Sequence, residues 1–412
     1  MASCLQCRGK LLCKRDFCPI YTKAQSMFKI NQELKEIFDS NSPPSVFIES
    51  KLEYPEVNVG ILSPTQRTEE AYTYDSPEYW YKNNLSIKQV VELRSSLINS
   101  RFKAKVNDVR KGTKFLDIAQ EIAMIQKPVD IEINLKKKPT ITPNFEKIIM
   151  PFGVNAPLKD VKITENVKIN NKIDKVFGDY DLKAIDAIKY LYKNEFSENA
   201  LSQLLSIGIF GLKKDRKLVS TRWSIVATID IIGKNIIEQI KEYNSIDNYQ
   251  LFTGNYFGNY YYILLIPNVW SYELFESYLP GALWNFSGKI ETSTDYEDYY
   301  GRKNYAEHCV GGYYFPRLKI LEYLNNIKKQ ASCLVIRFET PEYSAPLGVW
   351  VTGAGTKKAL ENLPLEFNSF KDAFNHVKSL ILNKFNFNID QIYKDSILIK
   401  KTISQTKLNK FF

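Results

Sequence analysis

The 412-residue chain predicts an α+β fold: a mixed α/β globular body with a short N-terminal Cys4 knuckle and a flexible C-terminal tail. Three observations lead there. Segments with helical and with strand periodicity mix along the chain without the regular strand–helix–strand repeat of a parallel α/β fold. Hydrophobic residues make up 44% and charged residues 25%, an ordinary globular balance, and the length allows two or three domains. Four of the six Cys fall within the first 18 residues, and the last eight residues carry a peptide-like motif. Neither end reads as part of a core.

The elements follow in order. Residues 23–40 predict an amphipathic helix through Phe28, Leu34, Ile37 and Phe38, broken by Asn41-Ser42-Pro43-Pro44-Ser45. Val46-Phe47-Ile48 and the alternating stretch 54–60 predict strands, followed by a loop at 62–65. Residues 86–100 and 115–126 predict helices, and Val129 to Leu135 alternates as a half-buried strand should. Pro139, Pro143, Pro151, Pro157, Gly153 and Gly178 punctuate 139–180 into hairpins and loops. Helices are expected at about 180–207 and, after a lead-in at 217–224, through about 243. Strands at 251–252 and 260–266 flank turn residues Gly254, Asn255, Gly258 and Asn259. A helix at about 314–330 precedes a buried strand at 333–338, with 346–351 as its expected partner strand, and a last helix spans about 369–384.

Composition excludes several classes. No window approaches 18 uninterrupted apolar residues, so no membrane span is expected. Met1-Ala2-Ser3-Cys4 lacks the features of a signal peptide, which points to a cytoplasmic protein. With two His, His308 and His376, a His-based zinc protease site or a Ser-His-Asp triad is disfavoured. The formal charge of +10 favours a polyanionic partner. Part of it is local: Arg101, Lys103, Lys105, Arg110, Lys111 and Lys114 stand against Asp108 alone within 101–115, and Lys136-Lys137-Lys138 forms a second run. The first stretch is a candidate for phosphate contacts.

Cys4, Cys7, Cys13 and Cys18 are spaced C-x2-C-x5-C-x4-C. Four thiolates close a tetrahedral Zn shell, and a segment too short for its own core gains its folding energy from the metal. An iron–sulfur cluster is the alternative. Cys18 precedes Pro19 as in some ferredoxin runs, although the gaps differ from the x2, x2, x3 pattern. The isolated Cys309 and Cys333 read as small buried apolar residues.

The last eight residues spell Gln405-x-x-Leu408-x-x-Phe411-Phe412. Leu408, Phe411 and Phe412 at i, i+3 and i+4 share one side of a helical turn and make an apolar plug, with Gln405 able to hydrogen-bond beside it. This spacing resembles the PIP box, by which replication and repair proteins dock on the PCNA sliding clamp.

Two further groups of residues are candidate sites. Asp130 and Glu132 share a strand face near Lys136, a pattern used by metal-dependent nucleases but also common on solvated strands. Arg222, Trp223, Arg317, Arg337, Glu339 and Trp350 are either structural or an anion site. Arg337 interrupts an apolar strand, and Glu339, two residues on, is its expected ion-pair partner. Convergence of Arg222, Arg317 and Arg337 in one pocket is the condition for the anion reading.

Several blocks together resemble the archaeal Nre family of DNA repair proteins, over nearly the whole chain. They are the Cys cluster ending Cys18-Pro19; Ser42-Pro43-Pro44-Ser45-Val46-Phe47 with Tyr54-Pro55 and Val59-Gly60; Leu218-Val219-Ser220-Thr221-Arg222-Trp223-Ser224; Gly312-Tyr313-Tyr314-Phe315-Pro316-Arg317-Leu318; and Arg337-Phe338-Glu339 through Pro346-Leu347-Gly348-Val349-Trp350. The resemblance implies a DNA-damage-response protein that binds PCNA, with a larger N-terminal and a smaller C-terminal family domain, and it brings no catalytic mechanism. The expected organisation is a knuckle at 1–22, a larger domain at 23–300, a smaller one at 301–394 and a tail at 395–412. The leading expectation is a clamp-docked repair factor that contacts DNA or other repair proteins. The alternatives are a clamp-delivered metal-dependent nuclease and a pure protein–protein adaptor.

Overall fold

The computed structural model describes residues 7, 9–13, 15–49, 54–139, 153–309 and 311–404. The fold is α+β, with thirteen α-helices and two six-stranded mixed sheets among the described residues. The chain forms two compact units. One comprises Met1–Ile232 with Ala345–Leu347, the other Gly233–Ser344 with Gly348–Phe412.

The first unit opens with helix α1 (Pro19–Glu33). Its sheet is ordered β1-β5-β6-β4-β3-β2, from β1 (Ile37–Ser42), β2 (Val46–Ile48), β3 (Glu56–Ser63), β4 (Ile98–Lys105), β5 (Val129–Leu135) and β6 (Asn155–Ile163). All pairs are antiparallel except β4 with β6. Val129, Ile131, Ile133 and Leu135 are buried on one face of β5, as its alternation predicts. The helices are α2 (Pro77–Lys82), α3 (Ile87–Ser95), α4 (Lys114–Ile125), α5 (Asn171–Gly178), α6 (Ala184–Lys193), α7 (Glu198–Ser206) and the first part of α8 (Thr221–Ile240). Ser86 starts α3 with a full capping box to Gln89.

The second unit is built on a sheet ordered β10-β9-β11-β8-β7-β12. These strands are β7 (Tyr249–Tyr256), β8 (Asn259–Ile266), β9 (Ser271–Tyr278), β10 (Glu291–Glu297), β11 (Ser332–Glu339) and β12 (Leu365–Phe367). β9 and β11 are parallel and the other pairs antiparallel. β7 and β8 meet in a two-residue turn, Phe257-Gly258, both at positive φ, which suits the twist of the flanking strands. One sheet face packs Leu264, Phe275, Leu334, Ile336 and Phe338 against α11 (Phe370–Phe385) and against Ile392, Leu398 and Ile399 of α12 (Asp390–Asp395) and α13 (Ile397–Ser404). The remaining helices are α9 (Tyr314–Asn326) and α10 (Trp350–Leu360).

Four local expectations are corrected. The helix expected at 23–40 ends at Glu33, and Ile37 and Phe38 start β1, whose alternating burial pairs it with β5. The helix expected at 86–100 ends at Ser95, and Ile98 opens β4. Residues 346–351 form no partner strand for β11. Both edges of β11 are occupied, by β8 and β9, so Trp350-Val351 begin α10 instead. The free tail expected from 395 is a packed helix as far as Ser404, with Leu398 and Ile399 buried.

Candidate functional site

The second sheet carries a buried charge cluster on the face opposite α11. Arg337 sits on the central strand β11. Its Nε and Nη2 donate to Asn259 Oδ1 at 3.0 and 2.6 Å, Nη2 also donates to Glu339 Oε2 at 2.9 Å, and Nη1 pairs with Glu276. The expected Arg337–Glu339 pair is therefore present, joined by Glu276, which stands directly beside Arg337 in the register of β9 with β11. Burial, reinforced by the Glu276 carboxylate, pushes Glu339 up to about 7 against the pull of Arg337. One guanidinium is shared between two buried carboxylates, so one of them is short of positive charge. Gly312 closes the cluster: a Cβ at that position would overlap Glu276 Oε1, so the backbone approaches as only glycine permits.

Arg317, 1% exposed, projects from α9 onto Glu297 of β10, with Nη1 to Oε2 at 2.8 Å. Trp270 Nε1 donates to the other oxygen of Glu297 at 3.2 Å. Nearby, Asp295 accepts from the backbone N–H of Glu307, His308 and Cys309 and pairs with Arg302 at 3.0 Å. It thus fastens the loop that carries those residues to the edge of β10. Cys309 and Cys333 are fully buried, and burial pushes both thiols far up. Arg222 lies in the first unit, exposed in the first turn of α8. Arg317 and Arg337 are thus engaged by protein carboxylates, which makes them architectural.

The strand carboxylates are likewise engaged. Asp130 pairs with Arg67 at 3.5 Å and accepts from Asn41, and Glu132 pairs with Lys162 at 3.8 Å. Lys136 is exposed. Among the described residues, no three His, Cys, Asp or Glu side chains gather as a metal site would require.

Of the N-terminal cysteines, Cys4 lies outside the described residues. Cys7 is buried, Cys18 half-buried and Cys13 exposed. The turn after Cys7 closes through Lys10 N–H to the Cys7 carbonyl at 2.8 Å, and Leu12 N–H donates to Cys7 Sγ at 3.3 Å. An N–H aimed at sulfur suits a thiolate ligand.

The basic stretch divides. Arg101 pairs with Glu49 at 3.5 Å, Lys103 with Glu56 at 3.6 Å, and Lys114 with Asp160. Arg110 donates through Nε to the Arg216 carbonyl at 2.9 Å. Lys105 and Lys111 are exposed. That carbonyl belongs to the loop 211–220, whose Lys213, Lys214 and Lys217 are also exposed. The sequence reading did not single out this run, and it abuts the 105–111 loop through the Arg110–Arg216 contact.

Gln405, Leu408, Phe411 and Phe412 lie outside the described residues. The helix before them, α13, is held by Glu273 of β9. This buried carboxylate accepts from Ser396 Oγ, from Ile397 N–H at 3.0 Å and from Leu398 N–H at 3.0 Å. A carboxylate at a helix N-terminus satisfies the unpaired donors of the first turn and complements the helix dipole.

With this geometry in place, comparison with known proteins defines the class. The description "Archaeal Nre, N-terminal" matches residues 12–285 and "Archaeal Nre, C-terminal" matches residues 297–411. The chain belongs to the archaeal Nre family. It is 34% identical over 404 residues to DNA repair protein NreB of Archaeoglobus fulgidus, covering 98% of each chain. It is 39% identical over 382 residues to DNA repair protein NreA of the same organism, covering 92% of this chain and 94% of that one. It is 33% identical over 339 residues to DNA repair protein NreA of Haloferax volcanii, covering 81% and 80%. No solved structure matches. No helix among the described residues is long and apolar enough to cross a membrane.

Proposed function

We propose that this chain is a cytoplasmic DNA-repair factor that docks on the PCNA sliding clamp through Gln405, Leu408, Phe411 and Phe412 and contacts DNA. The single observation that carries the docking is the Gln-x-x-Leu-x-x-Phe-Phe sequence at 405–412. The repair role draws on the names of its relatives. The engaged state of Asp130 and Glu132 favours this reading over the nuclease alternative. Docking gives any weak second contact with DNA a raised effective concentration, because the clamp already encircles the duplex.

The test is titration of clamp with the full chain and with the Phe411→Ala/Phe412→Ala double variant. Peptide-type docking has an ordering cost, so wild-type affinity is expected to be roughly micromolar. Emptying two apolar pockets should weaken it by about a hundredfold or more. Equal affinity for the two proteins refutes docking through this segment.

The proposal extends to one Zn per chain, held by Cys4, Cys7, Cys13 and Cys18. Elemental analysis of the purified protein should find zinc, with occupancy lowered in Cys7→Ser. Iron with visible absorbance would assign the ligands to an iron–sulfur cluster instead.

A further inference from the structure

The chain's positive charge is concentrated by the fold of the first unit as well as by sequence. Residues 103–114 and 213–222 each contain five basic residues and one acidic residue. Their net +8 compares with +10 for the whole chain. Roughly a hundred residues apart in sequence, the two segments are neighbours in space. Leu218 N–H donates to the Val106 carbonyl at 2.8 Å, and Arg110 Nε to the Arg216 carbonyl at 2.9 Å. Leu218 and Val106 are both buried, so the junction is fixed by packing as well as by hydrogen bonds.

Three of the ten basic residues are already answered: Lys103 pairs with Glu56, Lys114 pairs with Asp160, and Arg216 is buried beside Asp179. Asp108 accepts the Lys105 backbone N–H at 2.8 Å and so closes its own loop, while Asp215 is exposed. Lys105, Lys111, Lys214 and Lys217 are exposed, and none of the four is in an ion pair among the described residues. Gathering like charges without counter-charges costs free energy unless an anion is supplied from outside.

Aromatic surface borders the same region. Val106 N–H donates to the Pro55 carbonyl at 2.9 Å, which places Tyr54, 73% exposed, at the junction. Lys213 N–H donates to the Tyr180 carbonyl at 3.0 Å, and its ammonium lies 4.2 Å from the Tyr180 ring centroid. Trp223, 58% exposed, lies five residues after Leu218 in the first turn of α8. Lysines spaced with exposed rings suit a backbone of phosphates with bases beside it.

We infer that this surface of the first unit, centred on Lys105, Lys111, Lys214 and Lys217, binds the sugar–phosphate backbone of nucleic acid. The inference rests on the repair reading only for naming DNA as the polyanion. It requires neither the clamp nor residues 405–412.

The experiment is fluorescence anisotropy with the full chain, no clamp present, and labelled mixed-sequence oligonucleotides, single- and double-stranded, over a salt series. Wild-type protein should bind with strong salt dependence and little sequence preference. The Lys105→Ala/Lys111→Ala/Lys214→Ala/Lys217→Ala variant should bind about tenfold or more weakly, with a log–log salt slope shallower by about 3. A control variant, Lys136→Ala/Lys137→Ala/Lys138→Ala, should match wild type. All seven lysines are exposed, and unchanged circular dichroism and melting confirm that the variants fold. Tighter binding of the single strand identifies stacking on the rings; equal binding of both forms identifies backbone contacts alone, and either supports the inference. An unchanged affinity and slope in the quadruple variant overturns it. So does an equal loss in the control variant, and so does displacement by polyglutamate as effective as displacement by unlabelled DNA, which would assign the surface to an acidic protein. Clamp binding is read separately, so this inference and the docking proposal fail independently.

Discussion

Arg337 lies on the central strand of the second sheet, where a charge has no access to water. It is tolerated because Asn259, Glu276 and Glu339 take up its donors. Such a cluster is expensive to break from one side, since removing the cation leaves two buried carboxylates. Arg337→Met should therefore cost about 3–5 kcal/mol, read as a lowered denaturant midpoint with an unchanged slope. The pH dependence tests the same cluster from the other side. Glu339 is raised from 4.5 to about 7 in the folded protein. A carboxyl with a raised folded value stabilises fully below its unfolded value, and that stability is lost as pH rises through the folded value. Between pH 4.5 and 7, wild type should lose stability relative to Glu339→Gln, which cannot ionise. Parallel stability profiles for the two proteins would show that Glu339 stays ionised throughout and that Arg337 compensates it completely.

At the scale of elements, what was legible followed from apolar periodicity. β5, α4, α11 and the buried strand β11 stand close to where alternation or a helical stripe put them. Two of the strands missed, β9 and β10, bury polar side chains. β9 reads Ser-Tyr-Glu-Leu-Phe-Glu-Ser-Tyr, and both of its glutamates are buried. Glu276 serves Arg337, and Glu273 caps a helix more than a hundred residues later in the chain. β10, Glu-Thr-Ser-Thr-Asp-Tyr-Glu, has almost no apolar signal. Its place depends on Asp295 and Glu297 binding a distant loop and Arg317. A hydrophobicity pattern cannot identify strands whose burial depends on partners far away in sequence. The candidate site was legible to a similar degree. The Arg337–Glu339 pair is local and was expected, whereas Glu276, Glu297 and Asn259 are non-local and were not. The basic stretch at 101–115 was expected from the sequence, whereas the 213–222 segment was read only as the lead into a helix, and its backbone junction with Val106 and Arg110 is what makes the two one surface. The last helix shows the same dependence. Its buried Leu398 and Ile399 are too few to outline an amphipathic stripe in a Lys-rich segment, and Glu273 supplies the anchor.

For the whole molecule, two divisions of the chain differ. The family segments meet between residues 285 and 297, whereas the compact units meet at 232/233. The second sheet shows why the difference matters physically. β7, β8 and β9 precede residue 285, while β11 and β12 follow residue 297. β11 is inserted between β8 and β9, and all eight of its residues are buried. A fragment 297–412 therefore keeps β11 without either neighbour and Arg337 without Asn259 and Glu276. Its unpaired strand edges and unpartnered cation are both strongly unfavourable. A fragment 221–412, which begins at Thr221 so as to keep α8 whole, retains every strand of that sheet. The longer fragment should melt cooperatively with a sheet-containing circular dichroism spectrum, and the shorter one should show no cooperative transition. A sharp, reversible melt from 297–412 alone would mean that the C-terminal family segment has its own core, and that β11 holds its place without the strands on either side.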